Sequence, residues 1–422
     1  MPEHTASTPL LPPELARRLQ RDFGTPLFVY LEERLHQAAA DALAFPNAFG
    51  LTVRYAMKAC PTAAIIQTLS GQGLHIDASS GYEAARAMRA GVSPERIQIT
   101  AQELPRNLDE LLDRGCLFNA CSLAQLRAYG ALRPNSDVCV RMNPGLGSGH
   151  SNRTNVGGPS SSFGIWHERL EEVKRVAAEY GLRISGMHTH IGSGADPAVW
   201  NRCARMTLAL AERLPDVRTL SLGGGFRVAR MPDETSADLQ AIGALVRADF
   251  EEFAERTGRR PHLEIEPGAY LVARAGCIVA TVTDVVDTGA KGRTFIKTDT
   301  GMTEVTRPSL YGAQHPIEII PADGEPRPTQ SCLVVGHCCE SGDILTPEPG
   351  NPEGLGPRML PKAAIGDAVV VGGAGAYCSA MSTKNYNTFP EAAEVLIRCS
   401  GEVALIRARQ TLDQIVQNEV LL

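Results

Sequence analysis

The chain has 422 residues, 43% of them hydrophobic, which is enough for two or three domains with sizeable cores. Its 41 Lys and Arg residues against 47 Asp and Glu residues leave a net charge of −6 without long charge runs, which argues against a nucleic-acid binder. The sequence shows neither a membrane-span pattern nor an export signal, so we expect a cytoplasmic protein without membrane partners. Eleven cysteines without a CxxC pair indicate mostly buried, reduced thiols rather than disulfides or a zinc site.

Short β-branched runs alternate with amphipathic helical patterns from about residue 50 to 267, which is typical of parallel βαβ units. Eight such units in just over 200 residues favour a closed (β/α)8 barrel over an open sheet. The predicted strands are Val53–Met57, Leu74–Ala78, Ile97–Thr100, Leu117–Cys121, Val138–Met142, Ile184–His190, Thr219–Leu222 and Leu263–Glu266.

Beyond Glu266 the pattern changes to strand-like runs separated by Gly and Pro turns, which predicts an all-β second domain. The Pro- and Gly-rich stretch Thr346–Pro361 is predicted to be a loop, and Pro26–Leu31 a strand that precedes the barrel. The fold class is therefore α/β, with an N-terminal segment 1–31 that joins the β domain, a barrel at 32–280 and the β domain at 281–422.

Functional residues of such barrels cluster at the carboxyl ends of the strands, where the βα loops form an open concave face. Lys58 follows the first strand, and among apolar neighbours a lysine with a lowered pKa serves as a Schiff-base nucleophile, although a solvated loop lysine is the ordinary alternative. Asp77 ends the second strand, where it lines the site or caps the next helix.

The fifth to seventh strands end in further polar or glycine residues. Arg141 ends the fifth strand. The sixth strand ends with His188 and His190, whose side chains point to the same face of the strand and could be two metal ligands, although no third ligand is obvious. Ser193 follows them. The triplet Gly223, Gly224 and Gly225 after the seventh strand indicates either a phosphate cradle or a plain turn.

Two glutamates close the series on the eighth strand. Glu266 stands at the barrel mouth, whereas Glu264 lies deeper and needs a proton or a cation as its partner. Together a Schiff-base lysine, a phosphate cradle, an imidazole and a carboxylate on one rim are what a phosphorylated pyridine aldehyde requires.

The sequence resembles the pyridoxal-phosphate decarboxylases of the alanine-racemase-like barrel class over roughly residues 25 to 410. Within this ornithine, diaminopimelate and arginine decarboxylase family, the match is closest to the diaminopimelate branch. The resemblance rests on YAMKA (55–59), HIGSG (190–194), GGGF (223–226), EPG (266–268), RPSLYGA (307–313), GHCCESGD (336–343), GAY (375–377) and a late NYN…PEAAEVL stretch.

The resemblance implies pyridoxal 5′-phosphate as cofactor and meso-2,6-diaminopimelate as substrate, with L-lysine and CO2 as products. Lys58 would form the Schiff base, His190 would stack on the ring and Glu266 would pair with the pyridine nitrogen. The remaining cofactor-binding residues that it implies are Ser193, Gly223, Gly224, Gly225, Gly268 and Tyr377 around the phosphate and ring, with Asp77 and Arg141 lining the pocket.

The resemblance also implies a homodimer whose β domains complete each other's active sites. Cys339 would return the proton to the substrate carbon, with a buried structural thiol as the alternative, and Glu340 would recognise the far ammonium group. Arg307 with Tyr311 would bind the far carboxylate, assisted by Tyr377, because a bidentate Arg–carboxylate pair is selective.

Three positions depart from the family pattern, and they leave the substrate open. Ala269 and Phe389 stand where arginines are usual, and Ser162 stands where lysine is common; Arg274 is a candidate replacement for the missing cation at 269. The alternatives are a decarboxylase of another basic or D-amino acid or of a carboxylated polyamine, and a non-catalytic cofactor carrier. Racemisation is a further possibility, but it usually requires a tyrosine opposite the lysine, where we place Cys339.

Overall fold

The computed structural model describes residues 11–147, 157–190 and 192–422. The helices of this part of the chain are α1 Pro13–Phe23, α2 Glu32–Leu43, α3 Ala63–Gly71, α4 Gly81–Arg89, α5 Leu108–Asp113, α6 Leu123–Leu132, α7 Leu170–Glu179, α8 Pro197–Glu212, α9 Leu239–Thr257, α10 Ala269–Val272, α11 Arg307–Tyr311 and α12 Leu412–Val416. None of them is both long and apolar enough to cross a membrane.

The strands of the same residues are numbered in chain order. They are β1 Leu27–Leu31, β2 Leu51–Ala56, β3 His75–Ala78, β4 Ile97–Ile99, β5 Leu117–Ala120, β6 Asp137–Asn143, β7 Ile165–Trp166, β8 Arg183–His188, β9 Thr219–Ser221, β10 His262–Ile265, β11 Gly276–Asp287, β12 Thr294–Thr298, β13 Ile317–Ile320, β14 Thr329–Val335, β15 Pro347–Glu348, β16 Asn351–Leu355, β17 Arg358–Pro361, β18 Ala368–Val371, β19 Ala393–Ile397 and β20 Val403–Arg407.

The chain divides into two compact units. The barrel unit comprises Leu35–Ala229 and Thr235–Leu271, and the sheet unit comprises Met1–Arg34, Arg230–Glu234 and Val272–Leu422. Residues 1–10 of the predicted N-terminal segment lie outside the described residues. The predicted domain boundary after residue 280 falls inside the strand β11, which belongs entirely to the sheet unit.

A closed barrel of eight parallel strands forms the barrel unit, as the sequence predicts. The sheet runs β5-β4-β3-β2-β10-β9-β8-β6, and a further pairing of β5 with β6 closes the ring. The short strand β7 pairs with β6 outside this ring. All eight barrel strands coincide with predicted ones to within a few residues, because alternating β-branched runs and helical repeats are strong local signals.

Side-chain caps fix where several barrel helices begin. The Ser80 hydroxyl accepts the Glu83 amide proton at the start of α4, and Asp196 caps α8 in the same manner. The Asp238 carboxylate accepts two amide protons at the start of α9. Each cap follows a βα loop, so that the helix returns the chain to the amino end of the next strand. Ser80 therefore fills the capping role that the sequence left open for Asp77.

A buried ion pair joins β2 to β10 inside the barrel. Arg54 Nη2 lies 2.7 Å from Glu264 Oε1, and Arg54 Nε donates a second hydrogen bond of 3.1 Å to Glu264 Oε2. Both side chains are less than 10% exposed. Arg54 is therefore the cation that a glutamate at this depth requires.

Removal of this cation is expected to destabilise the barrel strongly. Arg54→Met should lower the free energy of unfolding by about 3–5 kcal/mol, because it leaves the buried Glu264 carboxylate without its partner. Urea unfolding followed by circular dichroism measures the loss. Arg54→Met combined with Glu264→Leu serves as the control and should recover much of it; a single variant as stable as the parent protein would contradict the assignment.

The sheet unit is built on the twelve-residue strand β11. Its sheet runs β17-β14-β12-β11-β1-β19-β20, with β18 paired to both β11 and β13. The predicted strand before the barrel appears as β1, which lies antiparallel to β11 and parallel to β19. Helix α1 packs Ala16 and Leu19 into the apolar core of this unit.

The stretch Thr346–Pro361 is not the predicted loop. It contains β15, β16 and β17, of which β15 and β16 form a two-stranded antiparallel ribbon and β17 pairs with β14. Gly350 adopts a φ of +74° and allows the ribbon to reverse. Each of β15, β16 and β17 contains a proline, and a missing amide donor is tolerated in a two-stranded ribbon and in a strand at the edge of a sheet. The Pro and Gly content of these strands therefore made them resemble a loop in the sequence.

Candidate active site

Lys58 lies directly after β2, at the carboxyl end of the barrel strands. It lies in a one-turn 3-10 helix, Met57–Ala59, in which the side chains of Met57 and Ala59 are buried and that of Lys58 is exposed. The only other lysine of the barrel unit, Lys174, lies on α7 and pairs with Glu171 at 3.0 Å. Lys58 is therefore the one lysine of this unit that the fold places near the barrel mouth.

Glu266 follows β10 and is fixed by two hydrogen bonds. His188 Nε2 donates to Glu266 Oε2 at 2.8 Å, and the Ser221 hydroxyl donates to Oε1 at 3.0 Å. Burial raises the pKa of the Glu266 carboxyl, but the charge and hydrogen bond of His188 outweigh burial and lower it to about 2. Glu266 is thus a buried carboxylate that stays ionised.

Asp77 is buried at the end of β3, within the electrostatic influence of both Lys58 and Glu266. Burial raises the pKa of its carboxyl to about 7, the negative charge of Glu266 adds to this effect and Lys58 opposes it. Its Oδ1 has no hydrogen-bond donor among the described residues. The lysine and the glutamate from opposite ends of the barrel sequence therefore act on one common side chain.

The glycine triplet after β9 forms a turn in which side chains do not fit. A Cβ at Gly224 would lie 2.0 Å from the Glu266 carbonyl oxygen, and one at Gly225 would lie 1.5 Å from the Gly192 carbonyl oxygen. Gly223 adopts a φ of +71°, and a Cβ there would meet the His190 side chain at 2.7 Å. Close approach of the backbone is therefore a requirement of this turn.

Arg141 and His190 flank the same end of the barrel, and each has a buried nitrogen without a partner among the described residues: Arg141 Nη2 and His190 Nδ1. Burial, with the charges of Arg141 and Lys58, lowers the pKa of His190 well below its usual value, so that the ring is neutral. Ser193 lies in the loop that follows, beside Gly194, whose amide donates to the Gly225 carbonyl at 2.9 Å. Ile191 of the same motif lies outside the described residues.

Gly268 completes the barrel set, because a Cβ there would lie 3.2 Å from the Ala56 carbonyl oxygen, next to Lys58. The other predicted site residues, Arg307, Tyr311, Cys339, Glu340 and Tyr377, belong to the sheet unit.

Helix α11 carries the first two of these residues. Arg307 begins the helix, and its guanidinium carbon lies 6.0 Å from the centre of the Tyr311 ring. Arg307 is thus part of a helix rather than a surface residue before a proline turn, which was its ordinary alternative.

Cys339 and Glu340 are exposed in a loop after β14. The Cys339 amide donates to Asn387 Oδ1 at 2.7 Å, and Glu340 Oε1 accepts the Gly342 amide proton at 3.0 Å. All eleven cysteines are free, and seven of them are buried, so that Cys339 is one of only two fully exposed thiols. A buried structural role for this thiol is therefore wrong for the single chain.

Two contributors to the barrel end escaped the sequence interpretation. Ser221 was not singled out, and it links Glu266 to the glycine turn because its oxygen also accepts the Gly223 amide proton at 3.1 Å. His188 was considered only as half of a metal pair, but it hydrogen-bonds to Glu266 instead. In the described residues, no group of three His, Cys, Asp or Glu side chains is arranged to hold a metal ion.

The residues of the barrel end fit a planar cofactor with a phosphate group. The unpartnered polar atoms of Asp77, Arg141 and His190 offer hydrogen bonds that the protein itself does not use. The glycine turn is suited to a close approach of phosphate oxygens to the backbone. A lysine and an ionised carboxylate whose charges both act on Asp77 suit the aldehyde and the pyridine nitrogen, and these features define a pyridoxal-phosphate-binding barrel.

Comparison with known proteins identifies the family. The family model "Pyridoxal-dependent decarboxylase, pyridoxal binding domain" matches residues 32–273, and the chain belongs to this family. It is 35% identical over 413 residues to diaminopimelate decarboxylase of Escherichia coli K12, a match that covers 96% of both chains. The corresponding enzyme of Streptomyces coelicolor is 36% identical over 407 residues, covering 94% of this chain and 90% of the relative.

A solved structure agrees with the fold of the whole chain. A crystal structure of diaminopimelate decarboxylase superposes with a TM-score of 0.90 at 34% identity and covers 98% of both chains. The match includes the β domain as well as the barrel, so the predicted fold class is confirmed. The family model confirms the predicted cofactor, and the protein is a pyridoxal-phosphate-dependent carboxy-lyase.

Proposed function

We propose that this enzyme decarboxylates meso-2,6-diaminopimelate to L-lysine and CO2. The observation that carries the proposal is the similarity to diaminopimelate decarboxylases over nearly the full length of the chain, at 35% identity. The arrangement of Lys58, Asp77 and Glu266 at one end of the barrel supports it, because amino-acid decarboxylation on this cofactor needs an amine and a carboxylate around one ring.

The barrel side chains have separate tasks in this proposal. Bound pyridoxal phosphate supplies a protonated pyridine ring that accepts the electron pair left when CO2 departs. Lys58 would bind the aldehyde, and Glu266, held by His188 and Ser221, would keep a proton on the pyridine nitrogen. The neutral His190 ring would contact the cofactor ring.

The remaining barrel residues hold the cofactor. Amides of Gly223, Gly224 and Gly225 with the Ser193 hydroxyl would bind the phosphate, Gly268 would give the backbone room, and Asp77 and Arg141 would line the pocket. Tyr377 stays a prediction from the family resemblance.

Substrate recognition and proton return are assigned to the sheet unit. Diaminopimelate carries a second amino-acid head, and Arg307 with Tyr311 and Tyr377 provides donors for its carboxylate, whereas Glu340 provides an anion for its ammonium group. Cys339 returns a proton to the substrate carbon after CO2 has left. The exposure of Cys339 and Glu340 in the single chain supports a homodimer in which they serve the partner's barrel. Sedimentation should therefore give a dimer, and a fully active monomer would contradict this arrangement.

We place the enzyme in the cytoplasm, with a small amino acid as its ligand and with neither nucleic acid nor membrane as a partner. The balanced charge supports the lack of a nucleic-acid partner, and eleven free cysteines are typical of a reducing compartment.

Replacement of Cys339 by alanine should slow turnover by about 100-fold or more, because a general acid contributes about 10²–10⁴-fold to a proton transfer. The ratio of lysine formed to CO2 released should fall below one, and cofactor absorbance should stay unchanged. Cys399→Ala is the matched control, since Cys399 is the other exposed thiol. Unchanged lysine formation in Cys339→Ala would refute the assigned role.

A substrate panel tests the proposed function directly. We expect CO2 release from meso-diaminopimelate to exceed that from D-lysine, L-ornithine and carboxynorspermidine. The panel matters because Phe389, at a position where the family usually has arginine, stacks on His337 with ring centres 3.7 Å apart and planes within 7°. The missing arginine at this position is the reason for including other substrates, and preference for any other compound of the panel would contradict the proposed function.

A further inference from the structure

A cluster of basic side chains surrounds the turn after β18 in the sheet unit. His315 Nδ1 donates to the Gly372 carbonyl at 2.8 Å, and Arg230 Nε donates to the next carbonyl, that of Gly373, at 2.9 Å. Two consecutive carbonyls thus orient the two side chains. The chain passes from the barrel unit into the sheet unit at Arg230, so that this arginine comes from the loop beyond the glycine turn.

The absence of a side chain at Gly373 leaves room for Arg230. Gly373 adopts a φ of +62°, and a Cβ on it would lie 2.9 Å from Arg230 Cγ and 3.0 Å from Cδ. A side chain at this position would therefore displace the aliphatic part of Arg230. The carboxylate of Glu234 secures the backbone from the other side by accepting the amide protons of Arg230 at 2.6 Å and Met231 at 3.2 Å.

Two guanidinium groups of this cluster have buried donors that no described residue satisfies. They are Arg230 Nη2 and Arg307 Nε. His315 Nε2 is also buried and has no partner among the described residues. Because His315 Nδ1 carries the proton donated to Gly372, His315 Nε2 is a neutral acceptor and supplies no negative charge for the two arginines. Buried donors are almost always hydrogen-bonded in folded proteins, so these two indicate an acceptor that comes from outside the chain.

The charge of the cluster indicates what the acceptor is. Burial and the nearby charge of Arg307 lower the pKa of Arg230 to about 9, which leaves the guanidinium protonated at neutral pH. Glu234 is the carboxylate whose charge acts on the pKa of Arg230, but it already accepts two amide protons from the backbone. Two positive forks with free donors match an anion with two or more oxygen atoms.

We propose that Arg230 and Arg307 together bind the carboxylate at the far end of the substrate, and that Arg230 supplies the cation that Ala269 does not. This inference rests on the proposed function, from which it takes the second amino-acid head of the substrate. Arg274, the candidate replacement in the sequence, has an exposed side chain, whereas Arg230, like Arg307, has a buried donor without a partner among the described residues.

Ligand binding to the dimeric holoenzyme tests the inference. L-Lysine keeps the far carboxylate of the substrate, and cadaverine is the same diamine without it. Calorimetry should show that Arg230→Gln weakens L-lysine binding by about 10- to 100-fold, the range for a charge-assisted hydrogen bond, and leaves cadaverine binding unchanged. Arg230→Lys should fall between the two, because it keeps the charge and loses the planar fork. Arg274→Gln is the matched control and should bind both ligands as the parent does.

The outcomes separate the possible roles. If Arg230→Gln weakens the binding of L-lysine and cadaverine equally, Arg230 has a structural role. If Arg230→Gln instead retains pyridoxal phosphate less tightly in a spectroscopic titration, the anion that Arg230 binds is the cofactor phosphate. Either result overturns the proposal. The proposal is also overturned if the ratio of L-lysine affinity to cadaverine affinity is the same in Arg230→Gln as in the parent enzyme. The proposed function is tested separately, by CO2 release from meso-diaminopimelate in the parent enzyme. If the parent releases no CO2, the proposed function is refuted, and the ratio of affinities still tests the role of Arg230.

Discussion

Lys58→Ala is expected to abolish CO2 release from every substrate in the panel. The alanine variant lacks the amine that binds the cofactor aldehyde, and the remaining lysine of the barrel unit lies on α7 in a surface ion pair. We expect a loss of at least about 10³-fold, since the variant cannot attach the cofactor covalently. The absorbance near the edge of the visible range that borohydride removes from the parent protein should also be missing.

Lys174→Ala provides the control for this experiment. It removes a lysine from the same unit and should leave both turnover and the absorbance band unchanged, because the Lys174–Glu171 pair is exposed and contributes little. Lys58→Ala protein that keeps the borohydride-sensitive band would show that another lysine carries the cofactor.

Glu266→Gln is expected to have the second largest effect. Glutamine keeps the size of the side chain and still accepts a hydrogen bond from His188 or Ser221, but it lacks the negative charge that holds a proton on the pyridine nitrogen. Removal of one such electrostatic contact typically costs about 10²–10³-fold in kcat. Steady-state kinetics should therefore show a lower kcat while the cofactor stays bound.

The control for Glu266 is Glu264, on the strand β10 that Glu266 follows. Glu264→Gln alters the ion pair with Arg54 and is expected to lower stability more than kcat. A Glu266→Gln enzyme with the parent's kcat would mean that this carboxylate does not act on the cofactor ring.

The barrel was predictable from the sequence because its signals are local. A strand such as β8 is followed by a helical repeat with a recognisable cap, here Asp196 at the start of α8. The sheet unit was less predictable where strands are short and contain proline. Strand β17 depends on pairing with the distant strand β14, and a single sequence contains no record of that pairing.

The site was predictable in its residues but not in its contacts. The sequence indicated that Glu264 needs a cation, but only the fold places Arg54 on the neighbouring strand in reach of it. Likewise, the spacing of His188 and His190 suggested a metal pair, whereas packing turns His188 toward Glu266. Arg230 gave no signal, because the contact that orients it is with Gly373, 143 positions away in the sequence.

The attachment site of the cofactor is the most direct test of the account. Borohydride reduction of the holoenzyme fixes the pyridoxyl group to its lysine, and mass spectrometry of a proteolytic digest then identifies that lysine. We predict a single labelled peptide that contains Lys58. A label on Lys174, Lys291, Lys297, Lys362 or Lys384 would contradict the account.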